Sequence, residues 1–429
     1  MQTDSGTKKI RRPELLVPAG SPEGLRCAVR YGADAVYLGG EAYGLRAMAK
    51  NFTEEEMAEG IRYAHERGVK VYVTANILAH NADLEGARGY FAQLRDLRPE
   101  APDALIIADP GMVRVCRQVW PEAVIHISTQ ANNTNYETFR FWQELGAKRV
   151  VGARELTLRE IAEIREKIPE EMEIECFVHG SMCVSYSGRC LLSGVLTGRD
   201  ANRGACTHPC RWSYALMEET RPGEYFPVEE NERGTFVFNS RDLCMVDHVP
   251  ELVQAGIDSF KIEGRMKNAL YVATMARTYR KAIDCFLESR ECYEAHLPWL
   301  KEQIAMCTFR PYGTGFYFGR PAPGEEGQIY DGTTYKSEAV FLGIARAPEG
   351  GETVFDQKNK FSVGDPIEVM KPDGRDLQAV VTGMRNAQGE EVPACPHAGE
   401  RIRMRLSDAE GRALCAEEGD VLRMRGSRE

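Results

Sequence analysis

The feature that most constrains this chain is a regular alternation of short aliphatic runs with amphipathic helical segments. The runs are Glu14–Val17, Ala35–Leu38, Val71–Thr74, Ala104–Ala108, Val124–Ser128, Arg149–Gly152, Glu173–Val178 and Ser259–Ile262. Helical stretches separate most of them; in Leu156–Ile168 the residues Leu158, Ile161, Ile164 and Ile168 recur at helical spacing. Strands that alternate with helices pair in parallel through right-handed crossovers. Eight such strands predict an α/β fold of the (β/α)8, TIM-like type, with a helix near Ala269–Glu288 as its last wall. A doubly wound sheet would need a glycine-rich dinucleotide turn, and none is found.

The spacing holds until the seventh run. A long insertion, 181–258, then precedes the eighth and carries five of the thirteen cysteines: Cys183, Cys190, Cys206, Cys210 and Cys244. An insertion after a barrel strand lies on the C-terminal face, where barrel enzymes build their active sites. The barrel is therefore expected over 13–319. After a Pro/Gly-rich stretch at Gly319–Gly327 the texture changes to short strands and turn signals such as Pro372-Asp-Gly, which predicts a small C-terminal β-barrel over 327–429.

The chain has 429 residues, 43% hydrophobic and 28% charged, and no apolar run approaches a membrane span. With a polar, basic start and no apolar leader, a cytoplasmic protein is expected. Its thiols then read as metal ligands or reactive groups rather than a disulfide framework. The net charge of −10 excludes a globally basic nucleic-acid binder and leaves room for local basic patches. Phosphate-loop, zincin and nucleophile-elbow motifs are missing.

Cys183, Cys190, Cys206 and Cys210 follow the spacing Cys-x6-Cys-x15-Cys-x3-Cys. Four thiolates satisfy one 4Fe–4S cluster. Zinc takes four sulfurs too, although its usual knuckles pair cysteines two to four residues apart, and here Cys206 and Cys210 alone meet that spacing. Spacing leaves cluster, zinc and unliganded thiols open. Cys27, Cys116, Cys176 and Cys285 sit in strand or helix patterns and read as small core residues.

The run Glu175-Cys-Phe-Val-His-Gly-Ser-Met-Cys-Val-Ser-Tyr-Ser-Gly-Arg-Cys-Leu-Leu-Ser193 resembles the signature of peptidase family U32, the collagenase-like proteases. Pro18-Ala-Gly, Gly32-Ala-Asp-Ala-Val-Tyr, Cys206-Thr-His-Pro-Cys-Arg-Trp212 and Lys261-Ile-Glu-Gly-Arg265 extend the match across the barrel. The Cys-x3-Cys-Arg-Trp form and Asn239-Ser-Arg-Asp-Leu are most similar to the tRNA-hydroxylation branch. The resemblance implies oxygen-independent formation of 5-hydroxyuridine at the tRNA wobble position, with prephenate as oxygen donor. It also implies a 4Fe–4S cluster on Cys183, Cys190, Cys206 and Cys210, with Cys244 in reserve, and a paired paralogue as partner chain. Alternatives within the family are a peptidase built on Ser181 or Cys183 with His179, and a cluster-bearing RNA-binding scaffold without turnover.

A dicarboxylate substrate needs cationic forks. Candidates at strand ends are Arg154, His179, Arg265 and Lys267, with Asn76, Gln130 and Asp109 as polar neighbours on the same rim. His179, Glu263 and Arg265 are the catalytic candidates; Arg154, Lys267, Asn76 and Gln130 are the substrate-binding ones. Glu263 reads either as a general base or as the ion-pair partner of Arg265. For RNA, the insertion offers Arg189, Arg199, Arg203 and Arg211 interleaved with Tyr186, Trp212 and Tyr214. Arg401, Arg403 and Arg405 share one face of a predicted strand and read either as a solvated face or as a tRNA-backbone patch.

Overall fold

The computed structural model describes residues 11–45, 51–212, 215–217, 225–227, 240–320 and 337–426. Tyr214, one of the expected stacking residues, lies outside them, as does most of the stretch between the two domains.

Eight parallel strands close into a barrel with helices between them. They are β1 Glu14–Pro18, β2 Ala35–Gly39, β3 Lys70–Ala75, β4 Ala104–Ile107, β5 Ile125–Ile127, β6 Arg149–Val151, β7 Glu173–Ser181 and an eighth strand, Ser259–Ile262. Each pairs with its sequence neighbour, and the eighth pairs with both β7 and β1 to complete the ring. The closing seam carries a register shift between Lys261 and Ile262, an irregularity that re-aims the side chains beyond it. The helices start where the sequence supplies caps. Ser21, Thr53, Asp109, Thr157 and Asn268 each accept a backbone N–H of the first turn, and Thr53–Glu56 and Thr157–Glu160 form full capping boxes. Asp109, expected as a rim residue, is such a cap: its Oδ1 accepts the Met112 N–H at 2.9 Å.

Two elements differ from the sequence reading. Strand β7 does not stop at Val178 but continues to Ser181, because Asp242–Cys244 from the insertion pairs antiparallel with 179–181 and supplies its hydrogen-bond partners. A second helix, Arg290–Ala305, follows the expected last wall. Pro298 inside it interrupts the pattern that would have announced it.

The C-terminal domain is a seven-stranded antiparallel sheet running through Ala339–Ile344, Val421–Arg425, Pro366–Met370, Asp376–Arg385, Arg401–Ser407 and Thr353–Asp356, with Ala413–Leu414 paired to Arg401–Ser407 as the seventh. A bridge between Ala345 and Phe355 brings its two ends together. It is fastened to the barrel by buried polar contacts. Tyr31 donates to the Met370 carbonyl at 2.7 Å and accepts the Val421 N–H at 3.0 Å. Arg277 and Arg423, both fully buried, share Gln303 and Asp376.

Candidate functional site

At the C-terminal ends of the strands the insertion folds over the barrel mouth and encloses a cavity. Its tethers are specific. Arg203 forks onto Asp83 at 2.6 and 2.8 Å, the Leu78 N–H reaches the Asn202 carbonyl, and Asn132 binds both the Ser187 carbonyl and the Arg189 guanidinium. Arg203 and Arg189 were expected to face RNA; they are instead struts that hold the insertion down.

All four cysteines of the spaced set line this cavity. Cys183 is exposed and Cys190, Cys206 and Cys210 are half-buried. Burial pushes the Cys210 thiol up, and the other three thiols add to the shift, so the four are electrostatic neighbours. Between Cys206 and Cys210 the backbone of His208 is left-handed, at φ 56°, unusual for a residue with a side chain, and its N–H points at Cys206 Sγ at 3.4 Å. Cys244 does not join them. It is half-buried beside Tyr279, and desolvation pushes its thiol up to about 12. Cys27, Cys116, Cys176 and Cys285 are buried as expected of core residues.

Of the polar rim candidates, Asn76, Gln130, Arg154, Glu263 and Arg265 line the same cavity. Arg154 donates to the Ser181 carbonyl at 2.9 Å, lies 4.1 Å over the Phe177 ring and stands 3.7 Å from the Glu263 carboxylate. The pairing of Glu263 with Arg154 was not foreseen. Arg265 is turned inward, donating to Thr74 Oγ1 at 2.7 Å and to the Leu45 carbonyl, and so organises the loop after β2. Asn76 links that loop to Ser128. Gln130 Oε1 and Arg154 Nε are buried in the cavity wall without a hydrogen-bond partner, which leaves them to a ligand.

Besides the helix cap Asp109, two candidates fall outside the cavity lining. His179, on the part of β7 extended by the insertion strand, is buried among Tyr271, Tyr279 and Tyr312. Burial lowers its pKa to about 3, so the ring is neutral. Lys267 donates to the Thr308 carbonyl at 3.0 Å behind the rim. Sequence reasoning passed over Lys261 as a site residue, although the Lys-Ile-Glu-Gly-Arg motif contains it. Two positions before Glu263, it faces the barrel interior, lines the cavity and pairs with Glu175 at 2.6 Å.

The motif glycines have a steric reason. A Cβ on Gly20 would lie 1.8 Å from the Arg265 carbonyl oxygen, and one on Gly180, at φ 109°, would lie 2.4 Å from that of Glu263. Both glycines let neighbouring strand ends approach where the cavity residues are mounted.

In the C-terminal domain, Arg401, Arg403 and Arg405 do share one strand face, but each meets a carboxylate: Asp356, Glu349 and Glu391 respectively. No helix among the described residues is long and apolar enough to cross a membrane.

The family model for peptidase family U32 matches residues 20–327, and that for the U32 C-terminal domain matches 337–423. The tRNA hydroxylation protein P1 of Bacillus subtilis is 40% identical over 398 residues, 92% of either chain. The tRNA hydroxylation protein P of Escherichia coli is 39% identical over 435 aligned residues, covering 91% of this chain and 93% of the relative. A 23S rRNA 5-hydroxycytidine synthase of Escherichia coli is 36% identical over 284 residues, 66% of this chain and 41% of the relative.

Proposed function

The chain belongs to peptidase family U32, and from that premise we propose that it is an RNA hydroxylase. In this reading a tRNA wobble uridine becomes 5-hydroxyuridine without molecular oxygen, with prephenate as oxygen donor. Relatives matched over nine tenths of the chain carry the name of tRNA hydroxylation, and a more partial relative that of rRNA hydroxycytidine synthesis. The observation that carries the reading is convergence: four thiols, a fixed guanidinium and unpartnered amide and guanidinium atoms share one cavity at the barrel mouth.

The donor set fits a 4Fe–4S cluster, which takes four thiolates. A single tetrahedral zinc, with Zn–S near 2.3 Å, needs its sulfurs about 3.8 Å apart. Among the described residues, the trio whose ligand atoms all lie within 4.8 Å of one another is not drawn from these four cysteines. Their wider spread suits the larger group. When bound, the cluster would supply electron transfer or activation of an oxygen substituent. The chain's own residues bind and orient. Arg154 presents its free Nε–H to a carboxylate and is held in place by Glu263, Phe177 and the Ser181 carbonyl. Gln130 offers an acceptor. Tyr186 and Trp212, each nearly half exposed on the insertion, offer stacking faces for a splayed base, with Arg211 at the cavity edge for phosphate.

A peptidase would need a base facing its nucleophile. His179 is enclosed by tyrosines and absent from the lining that holds Cys183, which favours the hydroxylase over the peptidase.

The test is nucleoside analysis of tRNA from a strain lacking this gene and any paralogue. Loss of 5-hydroxyuridine and its derivatives, restored by the wild-type gene and not by Cys206→Ala, is the expected result. An unchanged profile overturns the proposal.

A further inference from the structure

Far from the mouth, a second group of ligand atoms converges that the proposed activity does not use. The long helix Ala269–Glu288 starts at the rim, capped by Asn268, and runs back along the outside of the barrel. Cys285, near its end, is therefore about 26 Å along the axis from that cap, at 1.5 Å per residue. Ser289 ends this helix and caps the next, Arg290–Ala305. In the first turns of the second helix, Cys292 and His296 are four residues apart and share one face. The ligand atoms of Cys285, Cys292 and His296 all lie within 4.8 Å of one another.

We infer that these three side chains form a second metal site, for a thiophilic divalent ion of the zinc class, that clamps the two helices together at the floor of the barrel. The geometry and chemistry of the donors carry this. Cys292 Sγ stands 3.8 Å from His296 Nδ1, close to the separation of about 3.6 Å between sulfur and nitrogen ligands of a tetrahedral zinc. Cys285 Sγ lies within 4.8 Å of both Cys292 Sγ and the His296 ring nitrogen. The Glu288 carboxylate, 3.6 Å from Cys292 Sγ, is at hand for the fourth position, which water could otherwise fill. Two thiols and an imidazole select zinc over magnesium or calcium. On binding, each thiol gives a proton to solvent. His296 Nδ1, which now donates to the Cys292 carbonyl at 2.8 Å, gives up that proton, and the ring binds the ion through Nδ1 as the tautomer protonated on Nε2, the proton exchanging through solvent. Two thiolates balance the charge of the ion, so the half-buried site is neutral with water in the fourth position. Cys285 is buried while Cys292 and His296 are half-exposed, which gives the ion a route in.

The position assigns the site to stability. It lies at the opposite end of the barrel from the cavity, where barrel folds place stabilising features rather than chemistry. The second helix is wedged between parts that the mouth depends on. Tyr293, one residue after Cys292, donates to the Val246 carbonyl and accepts the Val249 N–H, just beyond the insertion strand Asp242–Cys244.

The experiment uses the full chain purified anaerobically under reducing conditions, with zinc(II) as the probe. Zinc, iron and sulfide are measured after removal of loosely bound metal, in the wild type and in Cys292→Ser and His296→Gln. The expected result is about one zinc per wild-type chain beyond that in either variant. Iron and sulfide should be unchanged among the three. Zinc should raise the melting temperature of the wild type and of neither variant. The His296→Gln change is half-exposed and keeps the fold testable should Cys292→Ser fold poorly. Equal zinc in all three proteins overturns the inference, as does a Cys285–Cys292 disulfide persisting in reductant. Iron content reports on the mouth and the zinc difference on the floor, so either reading can fail without the other.

Discussion

The floor of the barrel and its mouth are both furnished with arginine, lysine and glutamate, and they differ in how far those charges are satisfied. At the floor, Arg149 binds Glu14 at 2.5 Å, Glu173 at 2.6 Å and Glu175 at 3.1 Å, while Lys261 takes the other oxygen of Glu175. Tyr72 and Ser259 donate to Glu14 as well. His126, edge-on to Tyr72, has an unpartnered Nδ1 and is kept neutral by burial and by the nearby cations. At the mouth, Arg154 and Glu263 stand 3.7 Å apart, and Gln130 and Arg154 retain unpartnered buried atoms. Those charged groups at the floor are all paired, which holds a structure together, whereas at the mouth unpartnered buried atoms face a cavity that a ligand can enter. Lys261 joins the two, since it lines the cavity from above and ties into the network from below.

The sharpest way to break this comparison is to remove one arginine from each end. Arg149→Met leaves three carboxylates around an apolar side chain and should cost on the order of 3–5 kcal/mol. Arg154→Met should cost about 1 kcal/mol in stability while lowering hydroxylation on the order of 100-fold through lost positioning. Urea unfolding beside an activity assay separates the two. Equal stability losses would mean that mouth and floor are one structural network.

The cysteines sharpen it next. Cys206→Ala should remove nearly all bound iron and the activity, whereas Cys116→Ala, a buried helix residue, should leave both in place and cost about 1–2 kcal/mol in stability. Iron loss from both variants would show that the mouth thiols are not a distinct site.

A pH effect of intermediate size belongs to His179. Its pKa is about 3 in the fold, against about 6.5 in an unfolded chain. The unfolded state therefore binds the proton first as pH falls, and stability should decline by up to about 1.4 kcal/mol per pH unit between pH 6.5 and 3. His179→Gln should flatten this slope with little change at pH 7.5. A slope that survives the substitution would assign it to other groups.

The smallest effect is expected on the C-terminal strand face. Arg403 and Glu349 are both about half exposed, so Arg403→Gln should change stability by under about 1 kcal/mol. Because Arg403 is already paired, tRNA affinity should barely change. A clear drop in affinity with a shallower salt dependence would make this face an RNA surface after all.

Much of this molecule was legible in its order of residues. Each barrel strand is a local aliphatic run, most helix starts have their own cap, and the cysteine spacing marked the insertion, because these signals depend on near neighbours in the chain. The rim was legible as a set of residue types: Asn76, Gln130, Arg154, Glu263 and Arg265 do meet in one cavity. What the tertiary structure decided was direction. His179 and Lys261 are both polar residues on barrel strands, yet one turns into a cage of tyrosines and the other into the cavity. The difference rests on the pairing of 179–181 with a strand some sixty residues later and on the register shift at Lys261. Likewise, Arg189, Arg203, Arg401, Arg403 and Arg405 read as free charges until distant partners came into reach. The convergence of Cys285 with Cys292 and His296 arises where one helix ends and the next begins. Spacing along a chain sets which atoms are available, and the pairing of distant segments sets which of them meet.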